Sequence, residues 1–110
     1  MNIGIEKIKS ELINSCINYN AKEFLPYLLS KNVKTGMPNK IRFYRFLKSM
    51  LLFTKENSIG KLSFSTKGIE TNELCKKYYL NFYDKRHINS RLTIEVKETE
   101  KYIYLDTLPF

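Results

Sequence analysis

Residues 40–66 read KIRFYRFLKSMLLFTKENSIGKLSFST, and the spacing of their apolar residues changes once, at Lys61. Before Lys61 the apolar residues recur every three or four positions, which predicts a helix over 40–55. This helix is apolar over most of its circumference, so we expect it to be buried on two or more sides. From Lys61 onward apolar and polar residues alternate, which predicts a β-strand over 61–66. The chain is therefore expected to change from helix to sheet at this point.

Two further helices are predicted on the N-terminal side of this stretch. Over 3–19 the apolar residues recur at helical spacing, and charged or amide side chains occupy the opposite side. Asn20 is placed to cap a second, short helix that reaches about Ser30, with Glu23 as its capping-box partner.

The connection from the second helix to the third is short. Residues 33–35 are predicted as a short extended piece, and Gly36 and Pro38 mark a turn after it. Asn39 then stands where it can cap the third helix.

On the C-terminal side three more segments alternate with a period of two, over 74–83, 91–97 and 101–107. The loops between them are short and polar, so consecutive strands are expected to pair as an antiparallel meander. One face of this sheet is apolar and must be covered by the helices. Its predicted inward-facing residues are Leu62, Phe64, Tyr78, Leu80, Phe82, Leu92, Ile94, Val96, Ile103 and Leu105.

These elements predict an α+β fold in which three N-terminal helices pack on a curved, four-stranded antiparallel sheet, within one domain spanning residues 1–110. Their order resembles that of the nuclear transport factor 2-like superfamily, with the cystatin-like arrangement of helix against meander as a near neighbour. The resemblance covers Ile5 to Leu108, and the segment NAKEFLPYLLS at 20–30 looks like the short second helix of that superfamily. Its members include enzymes and non-catalytic modules, so the resemblance implies a fold and leaves the function open.

The composition narrows the class of protein. The net charge is +8, and residues 31–91 hold fourteen basic and four acidic side chains. No apolar run approaches the length of a membrane span, and the N-terminus lacks the continuous apolar stretch of a signal peptide. Cys16 and Cys75 form no CxxC pair, and a single histidine argues against a zinc site. We expect a cytoplasmic protein without a bound metal or other cofactor.

The residue types that carry acid–base catalysis are scarce in this sequence. The resemblance implies that an enzyme would hold a carboxylate or histidine inside the cone, whereas no predicted inward-facing residue is Asp, Glu or His. His87 with Asp84 is the remaining pair, but both lie in a polar loop without an accompanying nucleophile. Tyr78 lies on the apolar face, where it either lines a pocket or reaches the rim of the core. The sequence therefore predicts a chain that is not an enzyme.

The second face of the predicted sheet carries tyrosines that suggest a binding role. They are Tyr79, Tyr83, Tyr102 and Tyr104. Tyrosine is amphipathic and enriched at protein interfaces, and many members of the resembled superfamily dimerise through their sheets. We predict a non-enzymatic protein-interaction module that forms a homodimer through this face, with another protein partner left open.

A basic strip supports an alternative function, nucleic-acid binding. The predicted anion-binding residues are Arg42, Arg45, Lys48, Lys77 and Arg91. The tyrosines of the second face would then serve as stacking platforms for bases. That face also carries Glu95 and Asp106, and the sequence contains no recognised RNA-binding motif. Nucleic-acid binding is therefore kept as the alternative to protein interaction.

Overall fold

The computed structural model describes residues 3–37 and 39–107; the predicted turn residue Pro38 and the two ends of the predicted domain, 1–2 and 108–110, lie outside them. The elements are α1 (Ile5–Ile17), a 3₁₀ turn (Ala21–Phe24) that continues into α2 (Leu25–Leu28), β1 (Val33–Thr35), α3 (Lys40–Glu56), β2 (Ser63–Thr71), β3 (Lys76–Tyr83), β4 (Leu92–Glu98) and β5 (Ile103–Thr107). Within these residues no helix is both long and apolar enough to cross a bilayer. The predicted α+β class and its three helices are confirmed.

The described residues form a sheet of five strands in the order β1–β5–β4–β3–β2, so the predicted four-stranded antiparallel sheet is wrong in strand number and in one direction. Strands β2 to β5 form the predicted antiparallel meander. The additional strand is β1, which runs parallel to β5 with Val33 beside Ile103 and Thr35 beside Leu105. A strand of three residues is too short to show alternation, and its partner lies far along the chain. The sequence therefore indicated an extended piece without indicating its pairing.

The core lies between the helices and one face of the sheet, which we call the inner face. From α1 the core receives Ile8, Leu12 and Cys16. The predicted inward-facing strand residues are all buried except Phe64, which is 44 % exposed. Phe64 contacts Phe82 at a ring-centroid distance of 6.2 Å, but its strand β2 is at the edge of the sheet. Alternation placed Phe64 on the correct face and could not show that the helices leave this edge uncovered.

Helix α3 is buried on one side only, so its predicted burial on two or more sides is wrong. The side that meets the core carries Phe43, Leu47, Leu51 and Thr54. Large apolar side chains are also exposed on this helix, at Ile41, Phe46, Leu52 and Phe53. The apolar pattern identifies side chains that burial would stabilise. It does not show whether another element of the chain covers them.

The two predicted helix caps differ in outcome. The side-chain oxygen of Asn39 accepts a hydrogen bond from the backbone N–H of Arg42 at 2.8 Å, which confirms this cap. At Asn20 the predicted capping box does not form, because the side-chain amide donates to the Glu23 carboxylate at 3.2 Å and makes no bond to the helix backbone.

Strand β2 is longer than its sequence pattern predicts, because it continues beyond the predicted end at residue 66 as far as Thr71. Its pairing with β3 is interrupted by a bulge between Lys67 and Glu70. Gly68 lies in this bulge at φ 65°, a left-handed conformation that glycine adopts readily. The bulge breaks the strict alternation on which the strand prediction rested.

Candidate functional site

The face of the sheet opposite the helices, which we call the outer face, is the candidate functional site. Strand register sets its side chains in rows, one joining Glu70, Lys77, Lys97 and Tyr104 across β2 to β5. The next row joins Lys67, Tyr79, Glu95 and Asp106. No helix of the described residues packs on this face, since the helical core residues meet the opposite one.

Lysine ammonium groups lie over tyrosine rings across the outer face. The Nζ of Lys97 is 5.5 Å from the ring centroid of Tyr104, and that of Lys77 is 5.7 Å from the ring centroid of Tyr79. At these distances a cation is attracted to the negative face of the ring. Lysine and tyrosine thus form pairs, and both rings are half-buried.

Glu95 links the two lysine–tyrosine pairs. One of its carboxylate oxygens is 3.7 Å from the ammonium of Lys77 and 3.7 Å from that of Lys97. Tyr79 and then Glu95 raise the pKa of Lys77, because both favour its charged form. The centre of the outer face is therefore a connected set of charged and aromatic side chains whose charges offset each other.

The structure brings together only two of the four predicted interface tyrosines. Tyr79 and Tyr104 are half-buried at the centre of the outer face. Tyr83, at one end of the sheet, is buried beneath the ring of His87, with a centroid separation of 4.4 Å. Tyr102 is 44 % exposed and precedes β5 at the other end. The predicted interface is therefore centred on Tyr79 and Tyr104.

The predicted anion-binding residues are divided between separate surfaces. Arg42, Arg45 and Lys48 are exposed on α3, on the helical side of the sheet. Lys77 lies on the outer face, and the Nε of Arg91 is 3.7 Å from the carboxylate of Asp84. No single track for a phosphate backbone joins all five.

The predicted pocket residue Tyr78 is buried on the inner face, and its hydroxyl donates to Glu98 at 2.7 Å. The ammonium of Lys9 in α1 is 3.2 Å from the same carboxylate oxygen. Burial and then Glu98 raise the pKa of Tyr78 above its usual range. The hydroxyl oxygen of Tyr78 and the Oε2 of Glu98 thus both have partners. Through Lys9, this group of side chains holds α1 to the sheet.

Sequence reasoning missed Glu98, an inner-face carboxylate whose side chain is 15 % exposed. The predicted strand ended at residue 97, whereas the alternation of Leu92, Ile94 and Val96 continues to position 98. That continuation was the available signal. A cavity of about 260 Å³ has Lys76 and Glu98 in its wall, with residues 71–75 and 99–100, and Tyr78 does not line it.

Asp84, the predicted partner of His87, instead binds other groups. Its buried carboxylate accepts from the side chain of Arg86 at 2.6 and 2.9 Å and from the backbone N–H of Ile59 at 3.1 Å. The Arg86 hydrogen bonds and that backbone N–H hold the pKa of Asp84 at about 2. Arg86 also donates to the carbonyl of Asn57 at 2.7 Å. Asp84 therefore joins the loop after β3 to the loop after α3.

Both cysteines are free thiols, with Cys16 in the core and Cys75 in the turn before β3. Burial raises the pKa of Cys16 above its usual range. Across residues 3–37 and 39–107, no cluster of three or more His, Cys, Asp or Glu side chains is arranged to hold a metal ion.

Comparison with known proteins identifies the fold. No protein-family model matches the chain, and no curated protein matches it. The chain is similar to a solved protein of unknown function with a cystatin-like fold from Nostoc punctiforme PCC 73102, with a TM-score of 0.51 and 11 % identity over 99 % of this chain and 96 % of that one. It also matches an NTF2-like protein of unknown function from Cytophaga hutchinsonii ATCC 33406, with a TM-score of 0.49 and 9 % identity over 98 % and 91 % of the two chains.

The chain thus has a cystatin-like α+β fold, and the fold resemblance inferred from its sequence is confirmed. Both solved proteins are of unknown function, so the comparison assigns no activity, ligand or partner. Function has to be argued from the surfaces of this chain.

Proposed function

We propose that this chain is a non-enzymatic protein-interaction module that forms a homodimer through the outer face of its sheet. The observation that supports this proposal is the position of Tyr79 and Tyr104, half-buried at the centre of a sheet face on which no described helix packs. Tyrosine supplies a large contact area with little side-chain entropy to lose, which suits it to an interface.

The charges of the outer face favour pairing with a second copy. On strands β2 to β5 three lysines on this face are balanced by three acidic residues: Lys67, Lys77, Lys97, Glu70, Glu95 and Asp106. Two copies related by a two-fold axis then need not repel each other there, although each chain carries a net charge of +8. The lysines that cover the rings in the monomer can pair with carboxylates of the second copy.

The inner face supports the non-enzymatic part of the proposal. Its one newly found carboxylate, Glu98, is engaged by Tyr78 and Lys9, and Asp84 is engaged by Arg86. Each of these carboxylates joins elements of the fold, which gives each of them a structural role.

Replacing Tyr79 and Tyr104 together by glutamate tests the proposed interface. We expect the mass measured by light scattering to fall from twice 13.1 kDa to 13.1 kDa, because four added charges would be desolvated in each dimer. The control replaces Leu29, just after α2, and Asn14, on α1, by glutamate, because both are exposed and belong to the helical side of the molecule. A variant of Tyr79 and Tyr104 that keeps the wild-type mass would exclude this interface.

A further inference from the structure

The solvent side of α3 carries more exposed apolar surface than a solvated helix requires. Ile41 is 47 % exposed, Leu52 55 % and Phe53 69 %. Phe46 is also exposed, at 38 %. The exposed residues within α1, in contrast, are polar or charged. Four large apolar side chains exposed along one side of a single helix indicate an interaction site.

Helical geometry arranges these residues in three stripes along α3. Successive residues are turned by about 100°, so residues seven apart share a stripe and residues three or four apart lie on neighbouring stripes. Arg42, Ser49 and Glu56, seven residues apart, form the middle stripe of the exposed side, and Arg45 lies between this stripe and the flank of Ile41 and Leu52. Phe46 and Phe53 lie on one flank of this stripe. The other flank is formed by Ile41 and Leu52.

We propose that this side of α3 binds the α3 of a second copy in antiparallel orientation, with Ser49 at the two-fold axis. Reversing the helix about Ser49 sets Arg42 of one copy opposite Glu56 of the other, twice per pair. A two-fold axis perpendicular to both helices keeps each flank beside its own equivalent. Phe46 then meets Phe53 of the second copy, also twice. Ser49 is small, which permits the two helices to approach closely at the crossing.

The chemistry of the stripes favours a second copy over other partners. A nucleic acid would pair with Arg42 and Arg45 but would leave Phe46 and Phe53 in water, and it would repel Glu56. A bilayer surface would require the apolar residues to be contiguous, whereas the polar middle stripe separates them. Self-pairing brings Arg42 of each copy to Glu56 of the other and covers the phenylalanines.

The contact is small, because 17 residues of helix extend over roughly 25 Å. A single helix pair of this length lies below the size of a standard stable interface, so we expect association at high micromolar concentration. This interaction is independent of the proposed outer-face dimer, since α3 packs on the opposite side of the sheet. Where both contacts form, outer-face dimers would associate further through α3.

Charge reversal tests the pairing. In the Tyr79→Glu, Tyr104→Glu background, sedimentation velocity at high concentration should show a dimer through α3. Arg42→Glu should weaken it by roughly tenfold or more, because two attractions become two repulsions. Adding Glu56→Arg should restore it. Glutamate near the helix N-terminus and arginine near the C-terminus both favour the helix, so helix loss would not explain a weakened pair.

A cysteine cross-link provides a second, independent test. With Cys75 replaced by serine, Ser49→Cys should form a disulfide-linked dimer under mild oxidation, whereas Ser10→Cys on the exposed side of α1 should not. The proposal is overturned if the charge exchange does not restore association, or if both cysteines cross-link equally. An unchanged mass of the Tyr79 and Tyr104 variant at low concentration would reject the outer-face dimer alone, and the α3 variants would then be compared in the wild-type chain.

Discussion

The hydroxyl of Tyr78 donates a hydrogen bond to a Glu98 carboxylate oxygen at 2.7 Å, and the ammonium of Lys9 lies 3.2 Å from that same oxygen. The three residues come from β3, β4 and α1. Their contact therefore joins the first helix to two central strands at the margin of the core, where water would otherwise compete for each polar group.

Removing the Tyr78 hydroxyl should destabilise the fold. We expect Tyr78→Phe to lower the free energy of unfolding by about 1–2 kcal/mol, because a hydrogen bond to a charged carboxylate is lost while Glu98 stays partly buried. Urea denaturation measures the change. The matched control is Tyr44→Phe on α3, where the tyrosine is half-buried away from the outer face, and an equal loss in both variants would show that the Glu98 contact adds no stability.

A side chain at Gly68 should disturb the outer face directly. Gly68 has φ 65°, and a Cβ built on it would be 2.9 Å from Cδ2 of Tyr79. We expect Gly68→Ala to cost about 1–3 kcal/mol, from the left-handed backbone and from displacement of the Tyr79 ring. Gly4→Ala is the control, because a Cβ there meets nothing within 4 Å. Equal urea midpoints for the two variants would contradict this strain.

Asp84 should contribute stability that depends on pH in the acid range. The pKa of its carboxyl is about 2 in the folded chain, below its ordinary value of 3.8. A depressed pKa stabilises the fold above pH 4, and the contribution is lost as the pH falls toward 2. The stability difference between wild type and Asp84→Asn should therefore be constant above pH 4 and shrink below it. A difference that is unchanged from pH 5 to pH 2 would refute the assignment.

Binding of single-stranded nucleic acid should be weak and lost near physiological salt. The basic residues predicted to grip phosphates lie on separate surfaces, so few act together. Fluorescence anisotropy with labelled oligonucleotides over a salt series measures this. Arg42→Glu with Arg45→Glu is compared with Lys22→Glu and Lys31→Glu, two exposed lysines outside α3. Sub-micromolar binding that persists at about 150 mM salt and is abolished only by the arginine changes would favour the nucleic-acid alternative.

The sequence predicted those parts of the fold that depend on local periodicity. The change of period at Lys61 located the boundary between helices and meander, and the alternation of Leu92, Ile94 and Val96 identified the inner face of β4. Asn39 signalled the start of α3 through its own cap chemistry. Each of these signals lies within a few residues of the structure that it predicts.

The errors concern features that depend on distant neighbours. The pairing of β1 with β5, the exposure of Phe64 on the edge strand and the uncovered side of α3 are set by where other elements end. Glu98 was missed because the predicted strand stopped one residue early. The burial of Tyr83 was not predicted because the loop that covers it with His87 has no periodic pattern. For the candidate site, the sequence predicted which face of the sheet it occupies. It did not predict that Tyr79 and Tyr104 lie at the centre of that face while Tyr83 and Tyr102 lie at its ends.

The mass of the wild-type chain in solution tests the central claim most directly. Light scattering coupled to size-exclusion chromatography should be recorded at low micromolar concentration, where a single helix contact is too small to hold two chains together. If two chains associate through their outer faces, the measured mass should be twice 13.1 kDa. A mass of 13.1 kDa that persists as the concentration is raised would contradict it.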